Sequence, residues 1–333
     1  MGDLYYAAAC QTAFDAPATR DDIASRTARM IELAEQTIVG YEPFHDVRLL
    51  AFPEFAHAVP IYDSVAKLRD RLAVPIPNEH TDRYVALCAR YGCYMQTGTF
   101  LEAHPDHREV VFNTTALIGP AGILSLYRKV NPWIPWELHA SPHDVPALMD
   151  DPFPVVETEI GRLGAAICYD WLFPESIREL AFRGAEVLIR VSAYMDPWGA
   201  TAPMDWWTLI NRTRALENTA YVVASNQGAA CAQYPPFSWP GGSMVVDYDG
   251  RLLAQADPGP GEKVVVAPID IERLRTERAR RRGHDMRSHL RTEVHPYASQ
   301  PMFPPAPEHP ITRASIESRI ESARAGLRGE SSP

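Results

Sequence analysis

The sequence predicts an α/β domain whose mixed sheets are covered by helices, and three observations predict it. Strand-like and helix-like segments alternate through the first hundred residues. Apolar runs in the middle of the chain come in pairs split by glycine turns, the pattern of hairpins. No repeat of fixed period and no linker interrupts the chain before residue 300. With 333 residues, 46% of them hydrophobic and 22% charged, the chain is long enough for one large α/β core and sits near globular averages.

In chain order, residues 5–10 read as a short buried strand. Residues 21–39 read as a helix with apolar positions at Ile23, Met30, Ile31, Ala34 and Ile38. The run 47–52 is too short for a helix and is ended by Pro53. A helix over 80–91 is stopped by Gly92. Runs 110–118 and 123–127 flank Gly-Pro-Ala-Gly, and runs 155–160 and 163–168 flank Gly161. A helix (175–183), a strand (187–191), a helix (205–217) and a strand (220–225) follow. The last hairpin pairs 243–248 with 251–254 across Asp249-Gly250, a favoured turn dipeptide. The expected division is one α/β domain over 1–300 and a Pro/Ser-rich arm or disordered tail over 301–333, with a short helix near 314–326.

Charge and cysteine usage narrow the function. The balance of 32 basic against 42 acidic residues, −10 in all, argues against a broad grip on nucleic acid or an anionic membrane. No apolar run approaches the roughly 20 residues that cross a bilayer. The first residues carry no basic segment leading into an apolar core, so no secretion signal is read there. Five cysteines, an odd number, fit free thiols in a reducing cytoplasm. The expected partner is a small molecule.

Three residues at strand ends carry the chemistry. Cys168 closes an apolar strand and precedes a helix, a turn that presents its side chain at the mouth of an α/β sheet. Glu54 follows the run 47–52 and a proline, and Lys129 follows the run 123–127. Lysine occurs only at 67, 129 and 263, whereas the other 29 of 32 basic residues are Arg, so an ammonium at 129 stands out. Taken alone, each has a bland alternative: a buried thiol, an exposed carboxylate, a solvated lysine. Together they supply a base, a charge stabiliser and a nucleophile for acyl transfer through a thioester.

These residues also carry a resemblance. Phe-Pro-Glu at 52–54, Tyr-Arg-Lys at 127–129 and Ile-Cys-Tyr-Asp at 167–170 resemble the three signatures of the nitrilase superfamily, the carbon–nitrogen hydrolases. Ala-Ala-Cys-Gln (8–11), Phe-Pro-Glu (173–175), Arg-Gly-Ala-Glu (183–186), Arg-Ala-Leu-Glu-Asn (214–218) and Gly-Gly-Ser (241–243) extend the likeness over residues 4–290. Arg-Lys-Val-Asn-Pro-Trp-Ile-Pro-Trp-Glu (128–137) and Ala-Tyr-Met-Asp-Pro (193–197) resemble the aliphatic amidase and formamidase branch, in which a second Glu follows the Lys. Trp171 departs from that branch, which has Gly after Cys-Tyr-Asp, so the substrate cannot be copied from it.

The resemblance implies a four-layer αββα sandwich, a homodimer or larger homo-oligomer, and an amidase that needs neither metal nor cofactor. It implies Glu54 as base, Cys168 as nucleophile, Lys129 and the Tyr169 backbone N–H as oxyanion donors, and Glu137 as an orienting carboxylate. Phe55, Trp133, Trp136 and Tyr194 fall on positions that line the site in similar amidases. Trp171 is carried with them as substrate-binding, although it, Trp198, Trp206, Trp207 and Trp239 each read individually as core or interface packing. Nitrile hydrolysis, decarbamoylation and acyl transfer to an amine are alternatives on the same scaffold, and an idle scaffold protein is the alternative outside it. The His104–His107 and His139–His143 pairs have metal-like spacing, but proline interrupts both and solvated loops explain them. The basic stretch 273–291 is interleaved with acids and reads as a solvated helix or an oligomer contact.

Overall fold

The computed structural model describes residues 4–195, 199–229 and 239–328. Two sheets stack face to face with helices outside each. The first sheet contains β1 (Leu4–Gln11), β2 (Val47–Ala51), β3 (Tyr94–Gln96), β4 (Phe100–Glu102), β5 (Phe112–Gly119), β6 (Gly122–Arg128) and β13 (Lys263–Asp270). Its order is β13-β1-β2-β3-β5-β4, with β6 also on β5. The second contains β7 (Val155–Thr158), β8 (Gly161–Ile167), β9 (Val187–Ser192), β10 (Tyr221–Asn226), β11 (Met244–Val246) and β12 (Leu252–Gln255). Its order is β12-β11-β10-β9-β8-β7. The αββα sandwich expected from the sequence is the fold observed.

Side-chain alternation explains the layers. Ala7 and Ala9 of β1, with Leu49 and Ala51 of β2, face the apolar residues of β8, β9 and β10 between the sheets. Their neighbours Ala8, Cys10 and Leu50 point the other way, beneath α1 (Asp21–Tyr41) and α3 (Glu79–Tyr91). Asn78 caps α3 by accepting from the N–H groups of His80 (2.8 Å) and Thr81 (3.0 Å), and Gly92 ends it at φ 62°. On the other side, α4 (Pro174–Phe182) and α5 (Trp206–Asn218) bury Ile177, Leu180, Trp207 and Ala215 against the second sheet.

Parallel pairing runs through the centre of both sheets, β1-β2-β3 in one and β8-β9-β10 in the other. The segments after β2, β8 and β9 therefore emerge at carboxyl ends of strands, where ligands of α/β sheets are held.

Several elements escaped the sequence reading. The strands β3 and β4 have three residues each, too few for a period, and α2 (Val65–Arg71) has seven. Pro268 disguised β13, but this strand pairs only with β1 at the sheet edge, where a missing N–H goes unfelt. The basic stretch contains α6 (Ile271–Arg280), whose arginines are engaged within the chain: Arg275 pairs with Glu186, and Arg278 donates to the Thr219 and Ala185 carbonyls. Past residue 300 the chain runs along the body to α7 (Arg313–Leu327). Ile311 and Ile316 pack with Val111, Phe112, Leu138 and Ala140, and Arg319 pairs with Asp144. No helix among the described residues is long and apolar enough to cross a membrane.

Candidate active site

Glu54, Lys129, Glu137 and Cys168, distant in sequence, converge at one end of the sandwich. Glu54 follows β2 and Pro53 and is almost wholly buried. Its Oε1 accepts from Lys129 Nζ (2.7 Å) and Asn113 Nδ2 (2.9 Å), and its Oε2 from the Ala193 N–H (3.0 Å). The Gln227 amide donates to the Glu54 carbonyl (3.0 Å), which fixes the backbone as well. Lys129 leaves β6 with its N–H on the Asn113 carbonyl (2.9 Å) and has no exposed surface. Its Nζ also reaches both Glu137 oxygens, at 3.0 and 2.8 Å.

Two carboxylates thus share one ammonium out of water, and their environments drive them apart. Burial raises Glu54, helped by the Glu137 charge and opposed by Lys129, and leaves it above the usual carboxylate range. Burial also pushes Glu137 up, but Lys129 and His139 outweigh it and hold this carboxyl low. Besides Lys129, Glu137 Oε2 accepts from the Trp133 N–H (2.7 Å) and His139 Nε2 (3.1 Å). Burial pulls the Lys129 ammonium down, yet Glu137 and Glu54 more than reverse that and keep it charged. A pair split in this way has one member able to carry a proton and one that stays ionised.

Cys168 begins a single 3-10 turn, residues Cys168–Leu172, directly after β8. Its φ of 44° is left-handed, a conformation that costs a non-glycine residue about 1–3 kcal/mol and persists only where the surroundings enforce it. Asp170 enforces it. Its carboxylate accepts from the Ile167 N–H (3.0 Å), the Tyr127 hydroxyl (2.8 Å), and both the N–H (2.7 Å) and Nδ2 (3.0 Å) of Asn131. The Cys168 turn is thereby tied to the strand and loop that carry Lys129. Burial pushes the Cys168 thiol up to about 12; Glu54 adds to this, while Lys129 and Arg190 oppose it.

A cavity of about 330 Å³ opens onto the cluster. Glu54, Glu137, Cys168 and Tyr169 line its polar part, and Phe55, Trp133, Trp136 and Tyr194 belong to its walls as the sequence suggested. Trp133 and Trp136 stack at 4.6 Å between centroids, with Trp136 38% exposed at the rim. Trp206 and Trp239, read from the sequence as packing residues, also line it, and Trp239 lies 6.0 Å from the Phe55 ring. Trp171 requires a correction. It is fully buried, donates from Nε1 to the Ala166 carbonyl (3.1 Å) and does not line the cavity, because the turn rotates it into the core behind Cys168. Trp207 is core, and Trp198 lies outside the described residues.

His139 is the second correction. Proline spacing suggested a solvated loop, but the ring is buried against Glu137. Asn113 and Asp170 were also missed as site-building residues. Asp170 sits within the quoted Ile-Cys-Tyr-Asp motif, whereas nothing local marks Asn113. Among the described residues no cluster of His, Cys, Asp and Glu has the arrangement of a metal site.

A buried Glu–Lys–Glu cluster thus lies beside a strained cysteine at the strand ends of an αββα sandwich. The sequence profile described as Carbon-nitrogen hydrolase matches residues 6–279, and the chain belongs to that family. It is a hydrolase of carbon–nitrogen bonds other than peptide bonds. A formamidase of Bacillus thuringiensis (strain Al Hakam) is 31% identical over 255 residues, 75% of this chain and 69% of that protein. Among solved structures, a carbon–nitrogen hydrolase from Helicobacter pylori superposes with TM-score 0.72 at 22% identity, covering 90% of this chain and 99% of its own. Saccharomyces cerevisiae Nit3, a member of branch 10 of the nitrilase superfamily, gives 0.67 at 24%, covering 83% and 93%. At such identities these two structures speak for the fold.

Proposed function

We propose that the chain is an amidase that cleaves a carboxamide through a thioester on Cys168, and that its acyl group is larger than formyl and apolar or aromatic. The observation that carries this reading is the meeting of Glu54, Glu137 and Cys168 on an aromatic cavity, with Lys129 bonded to both carboxylates behind its wall. In the proposed reaction Glu54 takes the thiol proton, and the sulfur attacks the amide carbon. Lys129 and the Tyr169 N–H receive the developing oxyanion, a contribution of roughly 2.7–4 kcal/mol per donor in comparable sites. Glu54 returns the proton to departing ammonia and then activates the water that cleaves the thioester. Glu137, kept ionised, anchors Lys129 while Glu54 changes protonation state.

The substrate reading rests on the walls. A volume of about 330 Å³ lies at the small end of the range for ligand sites, roughly 300–1,000 Å³. It nevertheless exceeds what a formyl or acetyl group fills, and Phe55, Trp133, Trp136, Trp206 and Trp239 offer ring faces to an aryl or branched acyl chain. The relative named formamidase supports the amide chemistry.

The test is a panel of aliphatic, arylacyl and carbamoyl amides with the matching nitriles, scored for ammonia release and for intact mass, with Cys168→Ala as control. Ammonia from arylacyl amides, with an acyl adduct that the control lacks, is the expected outcome. A strong preference for formamide or acetamide would overturn the acyl assignment. An adduct discharged only by an added amine would move the reading to acyl transfer.

A further inference from the structure

Beside the nucleophile lies a cation that the proposed reaction does not yet use. Arg190, on β9, has no exposed surface. Its Nη1 donates to Asn211 Oδ1 (2.9 Å), while Nε and Nη2 have no hydrogen-bond partner. Three rings surround the guanidinium, with centroids 4.3 Å (Trp207), 5.2 Å (Tyr194) and 5.4 Å (Trp171) from its central carbon. Ring faces offset only part of the cost of desolvating a cation, and a buried charge is ordinarily matched by an opposite one. Among the described residues no carboxylate bonds to it.

The register indicates what does match it. β8 and β9 run parallel with Ala166 beside Arg190 and Ile167 beside Val191; Cys168 follows directly where β8 ends, and Ser192, two residues along from Arg190, closes β9. The Ser192 side chain is buried there too and interacts with the Cys168 thiol. The titratable and charged groups acting on Cys168 are Glu54, Lys129 and Arg190, and those acting on Arg190 are Cys168, Tyr194, Arg214 and Glu54. Lys129 is already matched by two carboxylates, which leaves Arg190 as the unmatched positive charge of this group.

We propose that Arg190 is a positioning residue for the nucleophile: its buried guanidinium, paired with no carboxylate among the described residues, supplies the positive field in which the Cys168 thiolate forms. The inference rests on Cys168 being the nucleophile, as argued above. In the step concerned the S–H bond breaks, its proton passes to the Glu54 carboxylate, and the electron pair stays on sulfur. Negative charge thus moves from a carboxylate bound to Lys129 onto an atom in the field of Arg190, with no net change in the site. Burial lowers Arg190 to about 10, so it remains charged at neutral pH.

The experiment follows carbamidomethylation of Cys168 by iodoacetamide, read by peptide mass, as a function of pH. It compares the unaltered protein with Arg190→Met, Arg190→Gln and Arg190→Lys, and folding is checked by thermal denaturation. Opposite charge close to a titrating group moves it by about one pH unit or more. The neutral variants should therefore raise the midpoint by about one unit and lower kcat roughly tenfold with KM little changed, and Lys should recover most of both. A merely structural arginine would lower the melting temperature and leave the midpoint in place, which overturns the proposal. Failure of both neutral variants to fold, with the Lys variant unaltered, assigns the charge to stability and also overturns it. Should Cys168→Ala retain turnover, it is the nucleophile assignment that fails, a result separable from these.

Discussion

The arrangement at Glu54, Lys129 and Glu137 gives the site both its chemistry and its fragility. Replacing Lys129 with Met would leave two buried carboxylates facing each other, and breaking a buried ion pair in this way costs about 3–5 kcal/mol. Urea denaturation should record that loss, alongside a fall in turnover of 100-fold or more. The pH profile tests the split between the carboxylates. In the proposed reaction Glu54 must be ionised to accept the thiol proton, and its folded value is raised, so activity should disappear as pH falls through that raised value. The acid limb of kcat/KM should accordingly lie above the ordinary carboxylate range. Glu137→Gln removes one of the charges that raise Glu54, so the limb should move to lower pH even as kcat drops. An unmoved limb would mean that another group sets it. Glu54, Lys129 and Cys168 were legible in the sequence because each follows an apolar strand, and Lys129 further because lysine is so rare here. His139 was not, since burial depends on neighbours far along the chain.

At the scale of elements, the site depends on turns that hold strand ends still. Asp170 joins the Cys168 turn to the end of β6 and to Asn131, so Cys168 and Lys129 keep their spacing through one carboxylate. The Glu54 turn has a different support. Gly98 lies so close that a Cβ there would come within 2.4 Å of the Ala56 Cβ and 2.6 Å of the Pro53 carbonyl oxygen. Gly98→Ala should therefore destabilise the fold by about 1–3 kcal/mol and lower kcat by displacing Glu54, measurable by thermal denaturation together with steady-state kinetics. The longer helices and most paired strands were readable from periodicity, with Gly92, Gly161 and Asp249-Gly250 placed correctly as stops and turns. The three-residue strands and edge strand β13 were not, because pairing rather than pattern creates them.

For the molecule as a whole, the C-terminal arm matters to the site without entering it. Arg319 pairs with Asp144, whose carboxylate also accepts from the Ala306 N–H (2.9 Å), and Ile311 and Ile316 cover Leu138 and Ala140 beside Glu137. We propose that the arm, described over residues 301–328, steadies the segment that holds Glu137 and His139. Arg319→Ala should cost about 3 kcal/mol, and a chain stopped after residue 300 should melt lower and turn over more slowly at similar KM. Equal kcat in the shortened chain would detach the arm from the site. The aromatic walls have one more consequence. Of seven tryptophans, Trp133, Trp136, Trp206 and Trp239 border the cavity. Intrinsic fluorescence should thus respond to occupancy directly, and in Cys168→Ala, where turnover stops, the protein becomes its own optical gauge of substrate affinity.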